Sequence, residues 1–400
     1  MAVSLLLALG VAGVAWHFWW RGDLPPGMPR RWYFYYLGVL LLMGMAVAPW
    51  PRLAMVVLSL AALEIGFGIG GRVFERLGLS ETSLLPANEW SDMRFTWHPL
   101  LQAVPIPTPP GEANPHIRHN SLKLRGQERT QESLAGKKVV ALFGGSTTYD
   151  QGNGDGDSWP ERLEALLGPS RYAVINHGMG GYASAEHVIQ TAFYERAFGR
   201  GPECAIYYMG WNDAHNAHIP NLDPGYADFH LPGQVDGEEA RRIGGQAYSI
   251  SPTLFYLTRL AVLAFDTVRP PTWPTGPMRS APDPALEAIY ARNIATISAI
   301  NRQRGIRTIW VGQLLNVERL ATQPTSSPWV PGVHSRDLWA MVERLNDVMR
   351  REAEKLGDLY IPVAIDTFGP GDFVDEGHFN PQGALKFAAA IAPEVAKACP

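Results

Sequence analysis

Two cysteines are all that the 400 residues contain, and they form no pattern. Cys204 sits in an apolar run and Cys399 beside the C-terminus, so neither a disulfide framework nor a Cys-x-x-Cys metal knuckle can be read. Cysteine usage leaves the redox compartment undecided. A large excess of either sign of charge is missing too: 34 Lys and Arg stand against 38 Asp and Glu, a formal net charge of -4. Without a basic stripe to neutralise phosphates, nucleic acid is excluded as an expected partner. Metal-ligand spacing is equally scarce. His116-x-x-His119 and His215-x-x-His218 could each bring two imidazoles together, but neither has a third ligand at a recognisable spacing. Asp150, Asn153, Asp155 and Asp157 lack the glycine and terminal glutamate of a calcium loop and read as a solvated loop. No metal and no cofactor is therefore expected, and His177 and His187 read as structural histidines.

What the first 71 residues do have is apolar side chains. Three stretches, Val3 to Trp20, Trp32 to Trp50 and Leu53 to Gly71, approach the ~20 residues that cross a bilayer. Trp19, Trp20, Trp32, Tyr33, Tyr35, Tyr36 and Trp50 gather at their ends, as aromatic belts do. These patterns predict about three transmembrane helices in residues 1–71, and hence a membrane partner. A cleaved signal peptide is the other reading of Val3 to Trp20, but that segment has no basic start and ends in bulky aromatics. Glu64 is an ionisable group inside the third span, where helix packing or an interfacial position would account for it. The flanking arginines conflict with a body outside the cytoplasm: Arg21, Arg30, Arg31, Arg72 and Arg76 outnumber Arg52 on the opposite side.

Residues 72–137 read as an irregular lead-in lying over the body, rich in Pro, Asn and Gly. From Lys138 onward short apolar runs alternate with helical patterns. The runs are Lys138 to Phe143, Tyr172 to Asn176, Cys204 to Met209, Ile306 to Val311 and Leu359 to Ile365. Strands apolar on both faces suit a parallel sheet covered by helices. Helices are expected from Ser158, as a capping box with Glu161, to the stop at Gly168, and at Ser184 to Phe198, Pro284 to Arg304, Ser335 to Leu356 and Pro381 to Lys397. Five alternations predict a three-layer α/β/α domain over 138–400, interrupted by an insertion at about 214–282.

Ligands of open parallel sheets bind beyond the carboxyl ends of the strands, so the residues that follow each strand carry the candidate chemistry. Gly144-Gly145-Ser146-Thr147 presents a hydroxyl on a turn. Asn176-His177-Gly178-Met179-Gly180-Gly181 could aim a backbone N–H at a substrate oxygen. Gly210-Trp211-Asn212-Asp213 offers an amide donor. Near the C-terminus, Asp375 precedes His378 by three residues, a spacing that lets a carboxylate fix the imidazole tautomer and leave the other nitrogen free to take a proton. Each motif by itself is a common turn or cap.

In this order, each after its own strand, the four motifs resemble the four blocks of the SGNH (GDSL-like) hydrolases, over about residues 138 to 397. The resemblance is to membrane-anchored members, to whose lead-in Asn120-Ser121 and Arg125-Gly126 are loosely similar. It implies a flavodoxin-like parallel sheet of five strands and a serine esterase that acts on small acyl esters, including those of glycans. Ser146 is then the nucleophile, His378 the base and Asp375 its orienting acid. The Ser146 N–H, the Gly181 N–H and the Asn212 side chain form the oxyanion hole. Gly145 stands where the family often has Asp. The resemblance also implies a body outside the cytoplasm, against the arginine count. O-acyl transfer to a glycan and lipid ester hydrolysis use the same chemistry and stay open. An α/β-hydrolase reading fails locally, because Thr148 occupies the second glycine of G-x-S-x-G.

Overall fold

A computed structural model describes residues 29–76, 95–98, 100–108, 116–193, 200–217, 253, 280–322 and 333–400. The chain divides into two compact units, Met1–Ser91 with Asp236–Pro270, and Asp92–Val235 with Pro271–Pro400.

In the first unit two helices, α1 (Pro29–Ala46) and α2 (Pro51–Arg76), occupy the second and third expected spans. Among the described residues no helix is long and apolar enough to cross a membrane, so the expected transmembrane helices are not shown. The expected span at Val3 to Trp20 lies outside the described residues. Glu64 is buried, and its carboxylate accepts a hydrogen bond from the Thr253 N–H at 3.3 Å.

The second unit is built on a parallel sheet of five strands: β3 (Lys138–Gly144), β4 (Tyr172–Asn176), β5 (Cys204–Met209), β6 (Arg307–Gly312) and β7 (Leu359–Ile361). Their spatial order is β4-β3-β5-β6-β7, all neighbours parallel, which is the flavodoxin-like order. Alternation along the strands sends side chains to opposite layers. Phe143, Tyr207 and Trp310 face one core with α7 (Pro284–Gln303), α8 (Val317–Thr322) and α9 (Ser335–Leu356). Leu142, Tyr208 and Val311 face the other with α4 (Trp159–Leu167) and α10 (Pro381–Ala398). Helix α9 shows why these segments are helical: Leu338, Met341, Val342, Leu345, Val348 and Met349 recur at three- and four-residue spacing and are all buried.

Register sets the site. Leu142 lies opposite Asn176, Gly144 opposite Tyr208 and Met209 opposite Gly312. The segments leaving β3, β4 and β5 therefore depart from one rim of the sheet. They include the short helices α3 (Ser146–Tyr149) and α6 (Trp211–Ala217), and the loop that leads into α5 (Ser184–Phe193).

Four readings of the sequence are corrected. The lead-in is not wholly irregular: β1 (Phe95–His98) and β2 (Gln102–Pro105) pair as an antiparallel hairpin. Ser158 caps no backbone N–H; its hydroxyl donates to Glu161 at 2.6 Å, while Asp150 takes the Trp159 N–H at the start of α4. Asp150 and Asn153 are buried rather than solvated, because the guanidinium of Arg125 and the loop after His378 enclose them. Finally, Cys204 and Cys399 form a disulfide across 195 residues. Spacing hid it, since only the sheet brings the start of β5 to the end of α10. Most of the expected insertion at 214–282 lies outside the described residues.

Candidate active site

Gly145 separates β3 from α3 and packs against the Asn212 side chain. A Cβ there would stand 2.2 Å from the Asn212 amide nitrogen. A larger side chain there would have to displace the Asn212 amide, and the turn places Ser146 at the first position of α3, buried on the rim.

The imidazole of His378 arrives from the segment just before α10. That helix is fixed at its start by Asn380, whose side chain accepts from the N–H groups of Gln382 and Gly383 while Pro381 occupies the first turn. The His378 Nε2 lies 2.8 Å from the Ser146 Oγ, across a sequence separation of 232. Its Nδ1 lies 2.7 Å from one carboxylate oxygen of Asp375. The other oxygen accepts the Gly377 and His378 N–H groups at 2.9 and 2.8 Å. Burial opposes ionisation of Asp375, but the hydrogen bond and charge of His378 and these two N–H donors outweigh it. The carboxyl is held below the usual carboxylate range. A carboxylate at Nδ1 fixes the proton there, which leaves Nε2 to accept from the serine.

The donors aimed at the same rim are held by neighbouring residues. Asn212, the second residue of α6, donates its amide to the Tyr182 carbonyl at 2.9 Å, which leaves its second amide proton available. Gly181 turns with φ of 85°, a backbone that side chains disfavour. Asp213 accepts from the Ser184 N–H at 3.0 Å and from its hydroxyl, and Asn293 donates to that hydroxyl at 2.8 Å. Successive residues of α6 thus fasten the loop that carries Gly181.

All five residues expected at the site, Ser146, Gly181, Asn212, Asp375 and His378, lie in the second unit, and the hydrogen bonds join Ser146, His378 and Asp375 in one chain. His177 is elsewhere engaged. Its ring stacks on Phe143 with centroids 4.8 Å apart, and burial pushes it down to about 4, so it stays neutral. His187 bonds to Gln190 at 2.9 Å, and His119 bonds to Ile106 and Tyr149. Among the described residues no group of acidic, His or Cys side chains could hold a metal ion. His218 lies outside them.

Sequence reasoning missed the residues behind the serine. Arg125, Asp150 and Asn153 are buried together with Tyr149 at the end of α3. The signals for them were the Arg125-Gly126 of the lead-in and the acidic loop of Asp150 and Asn153, which reads as solvated; neither carried geometry.

No protein-family model and no curated protein matches the sequence. Solved structures with a similar chain path include an alpha/beta hydrolase from the metagenome of Lake Arreo, Spain. It is 16% identical, covering 67% of this chain and 98% of its own, with a TM-score of 0.37. An acetylxylan esterase from Geobacillus stearothermophilus is 13% identical over 65% and 95% of the two chains, with a TM-score of 0.38. A GDSL-like lipase from Bacteroides thetaiotaomicron is 13% identical over 68% and 90%, with a TM-score of 0.35. At such scores the likeness carries no argument about the reaction, which has to come from the side chains.

Proposed function

We propose that the chain is a serine ester hydrolase of the SGNH (GDSL-like) kind, with Ser146 as nucleophile, His378 as base and Asp375 as the group that orients it. The observation that carries this is the 2.8 Å contact between the His378 Nε2 and the Ser146 Oγ, with the opposite ring nitrogen on a carboxylate. A serine hydroxyl is a poor nucleophile without an adjacent base. In the proposed reaction His378 takes the Ser146 proton as the Oγ attacks the ester carbonyl. The Ser146 N–H, the Gly181 N–H and the free amide proton of Asn212 receive the developing oxyanion. His378 then protonates the departing alcohol, and water attacks the acyl-serine with His378 again as base.

The proposed substrate is a small acyl ester, such as an acetyl group on a glycan. The support is the resemblance of the four motifs to the SGNH hydrolases. A glycan hydroxyl in place of water would make the same acyl-serine an acyl donor, and a lipid ester would enter by the same chemistry. We also propose a membrane tether through α1 and α2, supported by exposed apolar side chains that include Leu42, Met45, Met55, Val56 and Ile69. The disulfide supports a body outside the cytoplasm, because buried bridges of this kind persist in oxidising compartments.

The test is hydrolysis of p-nitrophenyl acetate by the full chain, together with fluorophosphonate labelling. Ser146→Ala should abolish both, and unchanged turnover in that variant would end the proposal. A series of longer acyl chains, and acetyl donors with and without a glycan acceptor, separates hydrolysis of small esters from lipid hydrolysis and from transfer. Membrane fractionation and a C-terminal reporter fusion test the tether and the compartment.

A further inference from the structure

The layer beneath the serine has a single centre. Arg125 is buried, and its guanidinium donates to the carbonyls of Tyr149, Asp150, Asn153 and Gly154, the Asp150 and Asn153 contacts being 2.6 Å each. All four carbonyls belong to the turn that leaves α3. Asp150 adopts a left-handed conformation with φ of 63°, which ends the helix after one turn. A guanidinium is a planar fork of five donors, and here it is spread over the backbone rather than over a carboxylate.

The same turn reaches both partners of the proposed reaction. Toward the nucleophile, the Asp150 N–H donates to the Ser146 carbonyl at 2.7 Å. Toward the base, the Asn153 amide donates at 3.0 Å both to Asp150 and to the carbonyl of Phe379, the residue after His378. Close packing repeats this link, since a Cβ on Gly152 would stand 2.5 Å from that carbonyl and 3.5 Å from the His378 Cβ. The Arg125 backbone bridges to Asn176, which opens the loop carrying Gly181, and the Asn176 amide donates to the Thr148 carbonyl at 3.0 Å. Its guanidinium also lies over the Tyr149 ring, whose hydroxyl is held by His119 at 2.7 Å. Burial pushes the Asp150 carboxyl up to about 6, and the Arg125 charge acts against that rise, so the layer is electrically as well as sterically joined.

We propose that Arg125 is a positioning residue of this site, one that holds the serine-bearing and histidine-bearing segments at hydrogen-bonding distance by clamping the turn between them. The proposal rests on the reading of Ser146 and His378 as nucleophile and base. It assigns the segment before the sheet a part in turnover. Lysine would keep the charge but, with one nitrogen, could not span four carbonyls.

The test compares wild type, Arg125→Lys and Asn153→Ala as full chains. Active sites are counted by fluorophosphonate titration and turnover of p-nitrophenyl acetate is expressed per titrated serine. The expected result is a fall in kcat per titrated site of about 30-fold or more in Arg125→Lys with KM within about threefold, and a smaller fall of the same kind in Asn153→Ala. A purely structural role would reduce the number of titratable sites and leave kcat per site at the wild-type value; that result overturns the proposal. If Arg125→Lys does not fold, Asn153→Ala decides alone, because it cuts the link to Phe379 with Arg125 in place. If the wild type itself neither labels nor turns over, the proposed function has failed and this proposal falls with it; a wild type that turns over beside variants with unchanged kcat per site overturns this proposal alone.

Discussion

Replacing Asp375 by Asn tests the proposed reaction at its most constrained point. One carboxylate oxygen of Asp375 receives two backbone N–H groups, from Gly377 and His378, and the other faces the His378 Nδ1. An asparagine must keep its carbonyl oxygen toward the two backbone donors, which turns its NH2 toward Nδ1. An NH2 group there makes Nδ1 the acceptor and sends the ring proton to Nε2, the atom that has to receive the serine proton. A base locked in that tautomer loses on the order of 10⁴-fold in turnover, roughly 5 kcal/mol. The amide can escape by flipping, which sets its NH2 against two backbone donors and forfeits two hydrogen bonds, about 1–3 kcal/mol apiece. The molecule takes the cheaper route, so the expected loss in kcat/KM lies between about 30-fold and about 10⁴-fold. The Asp375 side chain is 34% exposed, so water relieves part of the flipped state and shifts the expectation toward the lower end. The assay is p-nitrophenyl acetate turnover per fluorophosphonate-titrated site. Asp375→Asn with kcat/KM within about threefold of wild type would refute the argument that this carboxylate sets the tautomer.

Three further outcomes follow from the same geometry. Asn212→Ala should lower kcat by about 10²-fold with little change in KM, since it removes one oxyanion donor worth roughly 3 kcal/mol; steady-state kinetics reads this directly. Removing the Cys204–Cys399 bridge as a double Cys→Ala variant frees a loop of 195 residues. The chain-entropy account puts that at up to about 5 kcal/mol, so urea unfolding should shift to markedly lower midpoints, and an unchanged midpoint would contradict it. The Asp150 carboxyl has its folded value raised to about 6 from 3.8, so the folded chain holds more protons than the unfolded one between those values. Stability contributed by protonated Asp150 is therefore lost as pH rises from about 4 to about 6, by about 3 kcal/mol at most. Urea titrations across that range should show the slope in wild type and lose it in Asp150→Asn.

The parallel sheet was legible because each strand is apolar on both faces: Val139 to Phe143 and Cys204 to Met209 have no polar position to offer solvent. Helix α9 matched its expected bounds, Ser335 to Leu356, because its apolar spacing is regular and Gly357 stops it. The buried roles of Asp150 and Asn153 were not legible. An acidic, glycine-rich stretch has the composition of a solvated loop, and what buries it comes from Arg125, 25 residues away, and from Phe379, 226 residues beyond Asn153.

By itself the sequence determined the five strands of the parallel sheet and the longer helices that cover it, since periodicity is local, and which residue types stood at the strand ends. Only the tertiary structure decided which of these meet. The distance from the His378 ring to the Ser146 hydroxyl, the union of Cys204 with Cys399, and the clamp of Arg125 on the turn after α3 are contacts between residues far apart in the chain. They depend on strand order and register, which the backbone sets through pairings that no local pattern encodes.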